Sequence, residues 1–298
     1  MKELILPKDK KDAARRTLRA LVRGMYDLQK IRISQGNRLV ANFRAKLGLN
    51  PSDREDMLDA DAKDILAWLR KEYRRIADGI VDTPTLKTYP GDGVISDFSN
   101  FALVKSYNAS CVLEEENIKL IAECLKGYPI WTYLNAVKGV GPLMGGILIS
   151  EIDIGIAQYP SQIWQYSGLS VAKDGQGMSK RKEHLILKKY TDRNGEKKEK
   201  LSITYNPFLK SKLMGVLAGQ FLRQSAEKSP YRKIYDDYKH RLETHPVHKE
   251  KTKGHRHNMA MRYMVKVFLI HLHSAWRQVE GLPPSLPYHE AKQKAVNS

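Results

Sequence analysis

Residues 136 to 145, Ala-Val-Lys-Gly-Val-Gly-Pro-Leu-Met-Gly, set three glycines and a proline between two apolar helical runs. Glycines two residues apart allow a tight turn with close backbone approach, and Pro142 suits the first turn of a following helix. The pattern reads as a helix-hairpin-helix. In that motif the hairpin N–H groups and the second helix's N-terminus point at a phosphate, a contact blind to base sequence. Lys138, Gly139, Val140 and Gly141 are therefore candidate phosphate contacts, and Gly145 and Gly146 would let the second helix pack tightly on the first. Leu143 stands where a polar or basic side chain often helps, and a plain turn between core helices is the competing use of the same residues.

The charge points to the same chemistry. Across 298 residues, 51 Lys and Arg stand against 33 Asp and Glu, a formal charge of +18 and a pI near 9.7. A polyanion is the expected partner, nucleic acid ahead of a membrane surface. Residues 10 to 46 carry eleven Lys or Arg against Asp12 and Asp27 alone. At 100° per residue, Arg15, Arg19, Arg23 and Lys30 share one arc of this segment, opposite Ala14, Leu18, Leu21, Met25 and Leu28. Residues 173 to 200 hold ten Lys or Arg against five acids, either a contact surface or a solvated face. In the last long helical pattern, "HRHNMAMRYMVKVFLIHLHSAWRQV", the residues His255, Asn258, Arg262, Lys266, His273 and Arg277 form one polar stripe on an otherwise apolar cylinder. That stripe is a phosphate-facing edge or a wet face.

These residues must be positioned by helices. Periodicity predicts a helix over 12 to 47 and another over "PSDREDMLDADAKDILAWLRKEYRRI", with Asp53, Glu55, Asp56 and Asp59 in its acid-rich start. Residues 81 to 110 mix Pro, Gly, Ser and Asn and read as a linker or irregular excursion. The expected organisation is a basic helical region, 1–80, and a helix-hairpin-helix domain, 111–285. Asn194-Gly195 predicts a β-hairpin near 184–205. The fold class is thus mostly α, a helical bundle with a helix-hairpin-helix core and one β-hairpin. Cys111 and Cys124 lack a CxxC spacing, and His245, His248, His255 and His257 lack a helical i, i+4 ligand pair, so no metal or other cofactor is expected. Glu151 and Asp153 read as a helix end and turn. No apolar run is long enough to span a bilayer and the first residues do not form a signal peptide, so no membrane association and a cytoplasmic location are expected.

Four stretches, "VKGVGPLMGGILISEID", "SQIWQYSGLS", "YNPFLKSKLMGVL" and "SPYRKIYDDYKHRL", occur in the order found in one family. Over about 130 to 280 the chain resembles the C-terminal region of the RNA-guided, DEDD-type insertion-sequence transposases of the IS one-ten family. The resemblance implies DNA, with a structured RNA, as partner. It also implies a serine nucleophile in the loop after Gly168-Leu169, and an N-terminal RNase-H-like nuclease domain with four metal-binding acids. Here that loop is "SVAKDGQGMSK": Gln176-Gly177 takes the place of the serine, and the nearest hydroxyl downstream is Ser179. Lys173, Lys180, Arg181 and Lys182 would cradle a phosphate beside it. Residues 1 to 110 read as basic helices, not as the acid-bearing strands of a two-metal nuclease.

Three functions follow as expectations. The leading one is a transposase-like, DNA-binding protein that holds DNA, or DNA with a folded RNA, by its phosphates. The second is an active recombinase using Ser179, completed by a separate nuclease subunit; the third is a structural RNA-binding module. Assembly as a homo-oligomer fits each of them.

Overall fold

A computed structural model describes residues 10–46, 48, 50, 59–79, 84–91 and 95–283. In chain order the elements are α1 (Lys10–Lys46), α2 (Ala60–Gly79), α3 (Phe98–Leu125), α4 (Trp131–Ala136), α5 (Pro142–Glu151), α6 (Pro160–Tyr166), β1 (Ile186–Thr191), β2 (Lys197–Ser202), α7 (Pro207–Lys212), α8 (Ala218–Leu222), α9 (Pro230–Thr244) and α10 (Lys253–Val279). The protein is mostly α, as the periodicity predicts. β1 and β2 form the expected hairpin, antiparallel with Ile186 opposite Ser202 and Thr191 opposite Lys197. The acids Asp53, Glu55 and Asp56 lie outside the described residues; Asp59 immediately precedes α2.

The chain divides into two compact units, and the division falls inside helices rather than at the expected 80–110 boundary. One unit contains residues up to Arg19 and from Ala122 onward; the other is Ala20–Ile121. The expected excursion over 81–110 is corrected as well, because its last part is the start of α3. Asp97 explains the start: its carboxylate accepts the Asn100 N–H at 2.9 Å, the role of an N-cap. Phe101 and Val104 then bury one face with Leu39, Phe43 and Ile95. The Asn and Ser that suggested a loop have helical uses. Asn108 donates to Asp78 at 3.1 Å, and Ser110 donates to the Ser106 carbonyl and to Gln35.

The larger unit is built around α10. Phe221 of α8, Tyr231 of α9 and Phe268 of α10 meet with ring centroids 4.6 to 5.5 Å apart. Leu209, Leu213, Leu217, Leu269 and Leu272 are buried in the same unit. Between α7 and α8 the chain makes one π-helical turn, Leu213–Leu217. Asn206 caps α7, accepting the Leu209 N–H at 3.1 Å, while its amide donates to Glu151 at the end of α5.

Candidate nucleic-acid interface

The hairpin over residues 137–141 joins α4 to α5, and its glycines have different surroundings. Gly139 has φ +98° and faces the protein, where an added Cβ would lie 2.8 Å from Gln224 and 3.2 Å from Phe221. Its conformation and packing are those of an internal turn. Val140 is corrected as a contact: its side chain is buried, and its N–H donates to the Val137 carbonyl at 3.0 Å. Gly141 differs, with φ −87° and open space where a Cβ would go, at the N-cap of α5. Lys138 is exposed. Gly145 does what close helix packing requires, since a Cβ there would meet the Trp131 ring at 2.3 Å.

The basic arc of α1 is not one surface. Arg19 donates to the Ser150 carbonyl through Nη2 at 2.6 Å and Nε at 3.1 Å, and lies 3.8 Å from Glu151. It satisfies the carbonyl end of α5, where an intrahelical partner is missing. Arg15 bridges Asp12 at 3.0 Å and Asp153 at 2.8 Å, so neither arginine is the free phosphate contact expected. Asp153 also accepts the Gly155 N–H, the turn use expected of it. Arg23 and Lys30 belong to the other unit, where Lys30 is exposed and pairs with Asp27.

The polar stripe of α10 divides. At its C-terminal end, His273 and Arg277 are buried and satisfy carbonyls. His273 Nε2 donates to the Ala157 carbonyl at 2.9 Å, and Arg277 donates to Ala157 at 3.1 Å and to Pro283 at 2.8 Å. At its N-terminal end, His255, Asn258, Arg262 and Lys266 line a cleft of about 520 Å³. Val171, Gly175, Gln176, Gly177 and Arg181 of the loop after α6 form the opposite wall, and Tyr238 of α9 closes one side.

The loop is shaped to present this wall. Gly175 takes φ +76°, Ala172 donates to the Gln176 carbonyl at 2.7 Å, and Met178 donates to Ser170 at 3.1 Å. Gly177 is where glycine matters most for the site. A Cβ there would fall within 2.1 Å of the Arg262 guanidinium, so the absent side chain makes room for that charge against the loop backbone. Lys210 of α7 reaches the same loop and donates to the Met178 carbonyl.

Electrostatically the cleft is unbalanced. Among the described residues no carboxylate pairs with Lys210, Arg262 or Lys266, and Arg262 Nε is buried without a hydrogen-bond partner. Burial lowers the pKa of all three, and the Arg262 charge further lowers both lysines. Lys266 instead lies over the Trp164 ring, 5.0 Å from its centroid. Buried charges normally come paired. Arg262 and Lys266, partly desolvated and repelling each other, form a site that an anion would stabilise, and Lys210 stands behind it on the Met178 carbonyl.

The loop holds a second arrangement. Ser179 Oγ lies 2.9 Å from His184 Nδ1, and His184 Nε2 lies 3.0 Å from Asp174 Oδ2. The Ser179 N–H also donates to Nδ1, at 3.0 Å, and the Arg181 N–H donates to Ser179 Oγ at 3.3 Å. Nδ1 is therefore the acceptor, and Nε2 carries the proton given to Asp174. The His184 ring is buried, while Asp174 is exposed and held below the usual carboxylate range by the Gln176 N–H and by His184. Of the four cations expected around Ser179, Arg181 lines the cleft; Lys173, Lys180 and Lys182 are exposed and do not.

Sequence reading missed Lys210, Lys251, Tyr238, Tyr263, Asp174 and His184. Asp174, Ser179 and His184 fall five residues apart in turn, a spacing visible in the sequence, but only the folded loop brings them together. No protein-family model, no curated protein and no solved structure matches the chain.

Proposed function

We propose that the protein binds nucleic acid through its phosphates, with the cleft between α10 and the 171–181 loop as the principal seat. The observation that carries this is the pair of half-buried, mutually repelling cations that line the cleft, Arg262 and Lys266, which have no carboxylate partner among the described residues. Arg181 and Lys251 extend the positive surface around it. The net charge of +18 and the likeness of four stretches to RNA-guided transposases favour DNA, alone or with a folded RNA, as the polyanion. Lys138 and the open N-terminus of α5 at Gly141 would add a lesser phosphate contact.

The test is a salt titration of binding. About six neutralised phosphates give a slope of log K on log salt near −5 for duplex DNA. Gly177→Ala is the sharpest variant: it pushes the Arg262 guanidinium out of its seat while leaving the charge of the protein unchanged. Weaker binding in that variant supports the cleft, and a parental slope near zero removes the whole proposal.

A second reading is favoured by the Ser179–His184–Asp174 contacts, which place a hydroxyl on an imidazole base oriented by a carboxylate. In it, Ser179 Oγ forms a bond to phosphorus and gives its proton to His184 Nδ1. The bond from phosphorus to the leaving deoxyribose oxygen breaks, and that oxygen takes up the proton. Against it stands the Ser179 N–H, which shares the same lone pair and closes the loop on its own. A covalent protein–DNA adduct on a denaturing gel, present in the parent and lost in Ser179→Ala, would establish this reading. Absence of any adduct leaves binding alone.

A further inference from the structure

Beside the cations the cleft contains a surface that phosphates do not need. Tyr238 of α9 and Tyr263 of α10 lie face to face, with ring centroids 4.0 Å apart and planes within 10° of parallel. Both line the cleft, and Tyr263 remains 42% exposed. Tyr263 follows Arg262 directly in α10, and Asn258, an exposed residue with a donor and an acceptor, lines the same cleft. A flat aromatic surface beside half-buried cations is suited to a ligand that is planar in one part and anionic in the next.

We propose that the cleft takes an unpaired nucleotide: the base lies against the Tyr238–Tyr263 pair while the flanking phosphate sits on Arg262 and Lys266. The inference rests on the nucleic-acid reading above and goes further by specifying a single-stranded segment. In a duplex each base is stacked on its neighbours and offers no free face, so a base must be unstacked to reach Tyr263. Stacking on an aromatic side chain tolerates any base, and Asn258 and Gln176 are the amides that line the cleft. The tyrosine pair also has a packing role, since it joins α9 to α10 in the same unit. The exposed part of Tyr263 is not needed for that role.

The test uses the full chain and three fluorescent ligands of equal length: oligothymidylate, oligouridylate and a DNA duplex. Unlabelled inorganic polyphosphate serves as a base-free competitor. The parent should prefer the single strands over the duplex by about tenfold, the worth of one stacked base. Whichever single strand binds more tightly identifies the sugar, and either result supports the proposal. Tyr263→Phe should retain the preference. Tyr263→Leu, which keeps apolar bulk against Tyr238, should abolish it while leaving duplex and polyphosphate affinity as in the parent. Equal single-strand affinity in Tyr263→Leu and parent would overturn the stacking site and leave phosphate binding intact. A parent that binds none of the ligands would overturn both readings.

Discussion

At the C-terminal end of α10, Arg277 and His273 satisfy carbonyl oxygens of the 154–157 turn and Pro283; on the same helix Arg262 and Lys266 have no such acceptors. The residue types are alike and the helix is the same, but their surroundings differ. A cation that caps a carbonyl acts in stability, because removing it leaves a buried acceptor without a donor. A desolvated cation with no anionic partner lowers stability and acts in binding instead. Arg19, on the Ser150 carbonyl, and Lys210, on the Met178 carbonyl, belong with the first kind, and Arg15 is likewise satisfied, by two carboxylates.

The comparison is open to direct tests. The largest effect is expected from Arg277→Ala, which should lower unfolding free energy by roughly 3 kcal/mol in a urea titration through the stranded carbonyls. Nucleic-acid affinity of the folded fraction should be unchanged. The paired change Arg262→Met with Lys266→Met keeps both stems and removes both charges. It should weaken binding about a hundredfold, some 2.7 kcal/mol, and reduce the salt slope by about two, while thermal stability does not fall. Loss of stability without loss of affinity would reverse the assignment of the two ends.

The glycines of the hairpin repeat the contrast on a smaller scale. Gly139→Val places a branched side chain at φ +98° against Phe221 and Gln224 and should cost about 2 kcal/mol of stability. Gly141→Val has room and an ordinary φ, so its circular dichroism melting curve should match the parent and binding should weaken by about twofold, one contact near a helix N-terminus. The smallest effect is with pH. Burial holds His271 and His273 below the ordinary histidine value. Below about 6.5 the unfolded chain therefore binds more protons than the folded one, so stability is full above that value and declines as pH falls toward the folded values. A melting series should show this decline, and His273→Gln should lessen its slope.

Much of this was legible in the sequence. The α class, the β-hairpin at Asn194-Gly195 and the stripe through Arg262 and Lys266 follow from periodicity and turn chemistry, which are local. What sequence could not distinguish is whether a basic side chain meets a carbonyl, a carboxylate or water. Arg19 and Arg262 look equally exposed on a helical wheel, and only tertiary contacts separate them. Lys210 escaped notice because its helix is six residues long and its partner, the Met178 carbonyl, lies 32 residues away. Asn108 and Ser110 misled in the other direction, as loop-forming residues that sit in α3, where Asn108 donates to Asp78 of α2 and Ser110 to the Ser106 carbonyl of its own helix.

The π turn at Leu213–Leu217 bears on how this part of the chain tolerates insertion and deletion. A π turn accommodates one residue more than an α turn, and each residue of a helix adds about 100° of rotation. Deleting a single residue there would give a more regular helix with better hydrogen bonds. The flanks would keep nearly the same phase, because the wide turn already absorbs the extra residue, so Lys210 would still face the loop and Phe221 the aromatic core. The irregular turn thus acts as a phase adjuster between a segment set by the cleft and a segment set by the core. A one-residue deletion should be accepted within Leu213–Leu217, whereas one inside α7 or α8, where no wide turn absorbs it, would rotate the flank by about 100°.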